Sequence, residues 1–151
     1  MEINKYKNLI SRIYLFSDFS PDDISNIFEN KFYNIKKYKK NSIIYLQNQI
    51  CNSSDIVLEG KTSIQKIDED GDILTIVTYI AGDIMGANLA FSKINEYPMT
   101  VTALSNATIL HIDKELILNL CQYHKGFLNK FLESISSKAI ILTDKINFIS
   151  M

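Results

Sequence analysis

The chain has 151 residues, 46% of them hydrophobic, and its 16 basic and 17 acidic side chains leave a formal charge of −1. A chain of this length buries roughly 70% of its unfolded surface, enough for one self-sufficient core. The charge balance excludes both a disordered tail and a generally basic protein that coats nucleic acid.

Arg12 is the only arginine, so the chain is short of the planar two-pronged donor that proteins favour for phosphate. Cys51 and Cys121 lie far apart, without a signal-peptide core or an apolar run of membrane-spanning length beside them. A cytoplasmic protein with reduced thiols and no membrane contact is the expectation. An iron–sulfur cluster needs about four thiolates, more than this chain has. Cys121 reads as core packing beside Leu120, and Cys51 as a loop residue.

In chain order, the first thirty residues carry two short helical signals. Leu9, Ile10, Ile13 and Tyr14 share one face of the first, and Ser20-Pro21-Asp22-Asp23 opens the second with a capping serine and a proline at the first helical position. From Phe32 to Ile112 the texture changes to short β-branched and aromatic segments broken by Asn, Gly, Asp and Ser, which predicts an all-β roll or barrel. The clearest hairpin runs from Asp55 through Ile67 to a polar turn in which Gly71 takes positive φ, and returns over Ile73–Ile80. Tyr97–Ala103 and Ala107–Ile112 read as two more strands joined at Ser105-Asn106. Lys36, Lys37, Lys39 and Lys40 flank Tyr38 and read as a solvated hairpin end rather than a nucleic-acid patch.

After Ile112, Asp113 caps a helix through Cys121, and a long uninterrupted helix starts at Gly126. Leu128, Leu132, Ile135, Ala139, Leu142, Ile146 and Ile149 alternate steps of four and three, a heptad seam of about three repeats. Packing against the chain's own sheet would give a similar stripe. A dimer seam is preferred because Phe127, Phe131, Ile140 and Ile141 lie off it and are free to face the roll.

These residues resemble the Crp-Fnr family of bacterial transcription regulators. Leu15-Phe16-Ser17-Asp18-Phe19-Ser20 looks like the family's opening, and Val57-Leu58-Glu59-Gly60-Lys61-Thr62-Ser63-Ile64 is similar to its strand–glycine–strand signature. Ala81-Gly82-Asp83-Ile84-Met85-Gly86 resembles the Pro-Gly-Asp-x-x-Gly turn, with Ala81 replacing the proline. Thr100–Leu104 and Thr108–Ile112 match the two closing strands. The resemblance implies a mainly β fold: a cyclic-nucleotide-binding-like double-stranded β-helix, or jelly roll, with short N-terminal helices and a long C-terminal dimerisation helix. It divides the chain into an effector-sensing roll over residues 1–123 and a dimerisation helix over 124–151. The family's helix-turn-helix normally follows that helix, so the chain is either a piece of a longer regulator or a sensor without a reader. Contact with DNA is expected only through that further domain.

Relatives that bind cyclic AMP or cyclic GMP hold the ribose with an acid and the phosphate with an arginine. In this chain the acid position falls at Ala87 or Asn88 and the arginine position at Tyr97, followed by Pro98 and Met99. Buried phosphate without a cationic partner carries a large desolvation cost, so neither nucleotide is the expected effector. Met85, Gly86, Ala87, Asn88, Tyr97 and Met99, with Ser134, Ala139 and Thr143 from the long helix, instead outline a pocket for an unknown small neutral or weakly anionic ligand. The alternative is a filled, ligand-free roll acting as a dimeric interaction module.

Other classes fit less well. A cupin-type metal site needs clustered histidines with a carboxylate, whereas His111 and His124 stand on different elements and read as surface or edge residues. A haem sensor would need His111 or Cys51 as axial ligand, with no supporting motif. The expectation is no cofactor, no metal and no enzymatic activity. The mechanism expected is a population shift, in which a ligand between roll and helix selects one placement of the helix pair and so sets the roughly 34 Å spacing of distal DNA readers.

Overall fold

The computed structural model describes residues 2–29, 31–67 and 69–150, without the side chains of residue 67 and residues 138–150. Helix α1 (Ile3–Ser11) leads through a single 3₁₀ turn (Tyr14–Phe16) to α2 (Pro21–Phe28). The α2 start is a complete capping box: Ser20 Oγ accepts from the Asp23 amide at 3.1 Å, and Asp23 accepts from the Ser20 amide at 2.9 Å. Ile10 and Ile13 are buried as their shared face requires, but Tyr14 is 58% exposed. The chain has already left the helix there, so the 3.6-residue period no longer applies.

Among the described residues eight strands follow: β1 (Tyr33–Tyr38), β2 (Ile43–Tyr45), β3 (Ser53–Glu59), β4 (Lys61–Ile67), β5 (Ile73–Ile80), β6 (Ile84–Met85), β7 (Thr100–Ala103) and β8 (Ala107–Asp113). Short helix α3 (Ala87–Ala90) follows β6, and α4 (Lys114–Tyr123) and α5 (Lys125–Ser150) follow β8. The strands form two antiparallel four-stranded sheets, ordered β1-β8-β3-β6 and β2-β7-β4-β5, the jelly roll expected from the sequence. Gly60 moves the chain from one sheet to the other between β3 and β4. Its φ is +86°, and a Cβ there would lie 2.2 Å from the Asn106 carbonyl oxygen, so no side chain fits. Gly71 has positive φ in the β4–β5 turn, as read from the sequence. The four lysines around Tyr38 are exposed at the end of β1 and in the turn after it.

Strand β7 begins at Thr100, not at Tyr97. Pro98 has no N–H to give to a ladder, and Tyr97 instead exchanges backbone hydrogen bonds with Asn48 and Gln49.

Both faces of the first sheet are covered. Along β3, Ile56 and Leu58 face the helices while Val57 faces the roll interior; along β8, Leu110 and Ile112 face out and Ala107 and Ile109 in. Phe16, Phe28 and Phe127 are fully buried in the helical layer, and Phe131 stacks on Phe127 at 6.1 Å. Each such side chain contributes about 1.5–3 kcal/mol by leaving water. The off-seam Phe127 and Phe131 thus dock α5 on the roll. Polar contacts add to the docking: Lys130 reaches Asp18 at 3.0 Å and Ser17 Oγ at 2.6 Å, and Tyr14 Oη donates to Glu133 at 2.9 Å.

Candidate functional site

The inner face of the first sheet carries a buried polar cluster. Asp55 on β3 stands opposite His111 on β8 in the ladder, and both side chains point into the roll. Asp55 Oδ1 accepts from Ser53 Oγ at 2.7 Å and from His111 Nδ1 at 2.8 Å, and Oδ2 accepts from Tyr45 Oη at 2.5 Å. On the far side of the ring, His111 Nε2 and Tyr38 Oη are 2.9 Å apart. Tyr45 belongs to β2, so the carboxylate ties the two sheets together. A fully buried carboxylate is tolerable when its oxygens are saturated in this way.

The same carboxylate and burial act on the phenols: both push Tyr45 upward, and burial followed by Asp55 pushes Tyr38 up to about 12. These hydroxyls are therefore donors at neutral pH. Because Nδ1 of His111 carries the proton shared with Asp55, the Tyr45 proton is assigned to Asp55 rather than to the ring, although that nitrogen is 3.0 Å away.

This corrects one expectation. His111 is an interior residue with both ring nitrogens engaged, not a surface or edge one. Cys51 stands in the loop before β3, as read from the sequence, and is completely buried there. Its Sγ lies 3.3 Å from both the Ser53 carbonyl oxygen and Tyr97 Oη, which share its single proton, and burial pushes its pKa up. His124 is exposed, edge-on to Phe19. Cys121 packs partly buried against the helical core, as read from the sequence. Among the described residues no group of three or more His, Cys, Asp or Glu side chains is placed to hold a metal ion.

Beside the cluster lies a cavity of about 70 Å³ lined by Tyr45, Ile64, Tyr79, Met85, Gly86, Asn88, Leu89, Tyr97, Pro98, Met99 and Val101. Five of the residues singled out from the sequence, Met85, Gly86, Asn88, Tyr97 and Met99, come together here. Ala87 points the other way, into the helical layer, and meets Ser134 and Ile135 of α5 in a narrow cleft that Asn88 also lines. Thr143 and Ala139 lie outside the residues whose side chains are described.

Gly86 has φ +75°, and a Cβ on it would come within 2.8 Å of Tyr97 Oη. The tyrosine hydroxyl fills the space the glycine leaves, and the Tyr97 ring stacks on Tyr45 with centroids 4.3 Å apart and planes 15° apart. Ligand pockets usually measure roughly 300–1,000 Å³, so these two rings occupy most of the room. No lining residue is charged. Sequence reasoning missed Tyr45, Asp55 and His111, because their proximity depends on strand register and on which sheet β2 joins.

On the seam, Leu128 is half-buried and Leu132 is 52% exposed. Ile135 packs, partly buried, against the chain's own helical layer. The side chains of Leu142, Ile146 and Ile149 lie outside the described residues. Among the described residues no helix is long and apolar enough to cross a membrane.

No curated protein matches the chain by sequence. Solved structures do match. A transcriptional regulator from Thermotoga maritima superposes with a TM-score of 0.69 at 27% identity, over 77% of this chain and 90% of its own. The sensor domain of the transcriptional regulator DNR from Pseudomonas aeruginosa covers 97% of this chain and 95% of its own, with a TM-score of 0.74 at 15% identity. A variant of CooA from Carboxydothermus hydrogenoformans gives 0.70 at 20% identity, over 92% of this chain and 86% of its own. The sequence model of the cyclic nucleotide-binding domain matches residues 35–124, from β1 to the end of α4. With more than half of its length so matched, and with the resemblance read from its motifs holding at the level of family and fold, the chain belongs to the cyclic nucleotide-binding domain family.

Proposed function

We propose that the chain is the effector-sensing and dimerisation module of a Crp-Fnr-type transcription regulator that responds to a small molecule other than cyclic AMP or cyclic GMP. Residues 1–123 sense, and residues 124–151 pair with a second copy along Leu128, Leu132, Ile135, Ala139, Leu142, Ile146 and Ile149. Contact with DNA belongs to a helix-turn-helix domain outside these residues. The observation that carries the reading is Tyr97. Where a cyclic phosphate would need an arginine, a buried tyrosine stacks on Tyr45 and closes over Gly86, and the acid position is the inward-packed Ala87 or the exposed Asn88.

Coupling to the helix has a physical route. Asn88 at the cavity mouth also lines the cleft against Ser134 and Ile135, so a ligand that displaces α3 acts directly on α5. Calorimetry tests the effector class: neither cyclic nucleotide should bind in the micromolar range, since the two missing charged contacts each cost about 1.5–3 kcal/mol. Sedimentation tests the seam. The parent should be a dimer and Leu142→Asp a monomer, because the substitution buries an unpaired charge.

A second reading draws on the small volume of the cavity: a permanently filled roll that serves as a dimeric interaction module. Mass spectrometry of the purified chain discriminates the two, since a co-purifying small molecule fits the first reading alone.

A further inference from the structure

The two tyrosines that fill the roll are held unequally. Tyr45 Oη lies 2.5 Å from Asp55, 3.0 Å from His111 and 3.2 Å from Ser53, all on strands of the opposite sheet, which makes its ring a fixed platform. Tyr97 stands on the connection between α3 and β7, and its hydroxyl shares with the Ser53 carbonyl the single proton of the Cys51 thiol, a weak donor. Its ring lies flat on that platform, among the uncharged side chains of Ile64, Tyr79, Leu89 and Met99. The arrangement is that of a ring bound in an apolar cleft, with the ring supplied by the protein.

We propose that Tyr97 is a built-in plug, and that the site admits a planar, uncharged, single-ring aromatic ligand that takes its place on Tyr45 and turns a polar group toward Cys51 and Gly86. This rests on the reading of the roll as an effector pocket and gives that effector a chemical class. An anion entering the cleft would give up its water for a lining without charge and would face the Asp55 carboxylate behind Tyr45. A neutral ring loses little on entry and gains the stacking surface that Tyr97 vacates. Space agrees: about 70 Å³ is too little for a ring beside Tyr97, whereas apolar cavities of roughly 150 Å³ accept benzene, and departure of the tyrosyl ring adds a ring-sized volume. The plug also lowers apparent affinity by the fraction of molecules in which Tyr97 has moved aside.

The test is calorimetry on the full chain with 4-methylphenol, which is the tyrosine side chain as a free molecule. The parent, Tyr97→Ala and Tyr45→Leu/Tyr97→Ala are compared, with 4-methylbenzoate as the same ring bearing a charge. Tyr97→Ala should bind 4-methylphenol at least tenfold more tightly than the parent, the double variant should lose that gain, and 4-methylbenzoate should bind at least tenfold more weakly. Should Tyr97→Ala not fold, Tyr97→Val vacates the same ring. In the parent, the NMR resonances of Tyr97 should shift as 4-methylphenol is added, and resonances that stay put up to millimolar ligand overturn the plug. No gain in the folded variant also overturns it. Benzoate binding as tightly as the phenol overturns the ligand class but leaves an effector pocket standing. Micromolar cyclic AMP binding to the parent overturns both this proposal and the function on which it rests.

Discussion

The two faces of the β1-β8-β3-β6 sheet are built from the same strands and solve burial differently. Toward the helices, β3 and β8 present Ile56, Leu58, Leu110 and Ile112 to a layer of phenylalanines, and the one buried side-chain oxygen without a partner among the described residues, Ser54 Oγ, lies on β3. Toward the roll, the alternate positions present Asp55 and His111 beside Val57 and Ile109, and every polar atom of that pair is engaged. The period of two residues along a strand is enough to divide one sheet into a dry face that anchors α5 and a polar face that holds the cavity wall in place. The dry face derives its stability from volume, the polar face from mutual satisfaction of hydrogen bonds.

The largest expected effect tests the dry face. Phe127→Ala removes a fully buried ring that meets Phe16 at 5.5 Å and should cost about 3–5 kcal/mol in urea unfolding. A loss below about 2 kcal/mol would mean that the helical layer collapses around the gap and is not rigidly packed. On the polar face, Asp55→Asn keeps the shape but removes the charge that three donors share, and about 1.5–3 kcal/mol should be lost by the same measurement. An unchanged midpoint would show that geometry without charge suffices.

Alkaline unfolding sharpens the contrast further, because the perturbed phenols line the roll. Tyr38 and Tyr79 are each pushed up to about 12 from 10.0, by burial first and then by Asp55 and Asp83 respectively. Folded pKa values above the unfolded value mean that stability is intact below pH 10 and is lost as pH rises from about 10 toward 12. Thermal midpoints measured across that window should fall less steeply in Tyr79→Phe than in the parent. An identical slope would place the loss elsewhere. The smallest effect returns to the dry face: Ser54→Ala deletes the unpartnered hydroxyl and should raise stability by up to about 1 kcal/mol. A destabilised variant would show that Ser54 has a partner in solution.

Much of the fold was legible because its signals are local. The Ser20 cap with Pro21 and the Gly71 turn depend on residues within a few positions of one another, and each stands where the sequence put it; the hairpin around Gly71 begins at Lys61 rather than Asp55, because Gly60 carries the chain out of the sheet that holds β3. Five members of the cavity lining were named for another reason, the resemblance of the glycine turn and of the segment at Tyr97 to the family's motifs. The errors share a cause. His111 was read by residue type and neighbours in sequence, which cannot register a carboxylate 56 positions away. Tyr97 was assigned to a strand on its apolar texture, although Pro98 stops the ladder there.

Composition, period and turn chemistry therefore determined a mainly β fold with a long C-terminal helix, and the shortage of arginine already argued against a phosphate-bearing effector. Tertiary structure alone decided that Asp55, His111 and Tyr45 form one cluster, that Tyr97 lies on Tyr45 over Gly86, and that Ile135 packs against the helical layer. The physical reason is range. Capping, turns and alternation are settled by short-range sterics and hydrogen bonding, whereas strand register and sheet assignment sum contacts from the whole chain, and the site is built at the places where those long-range choices meet.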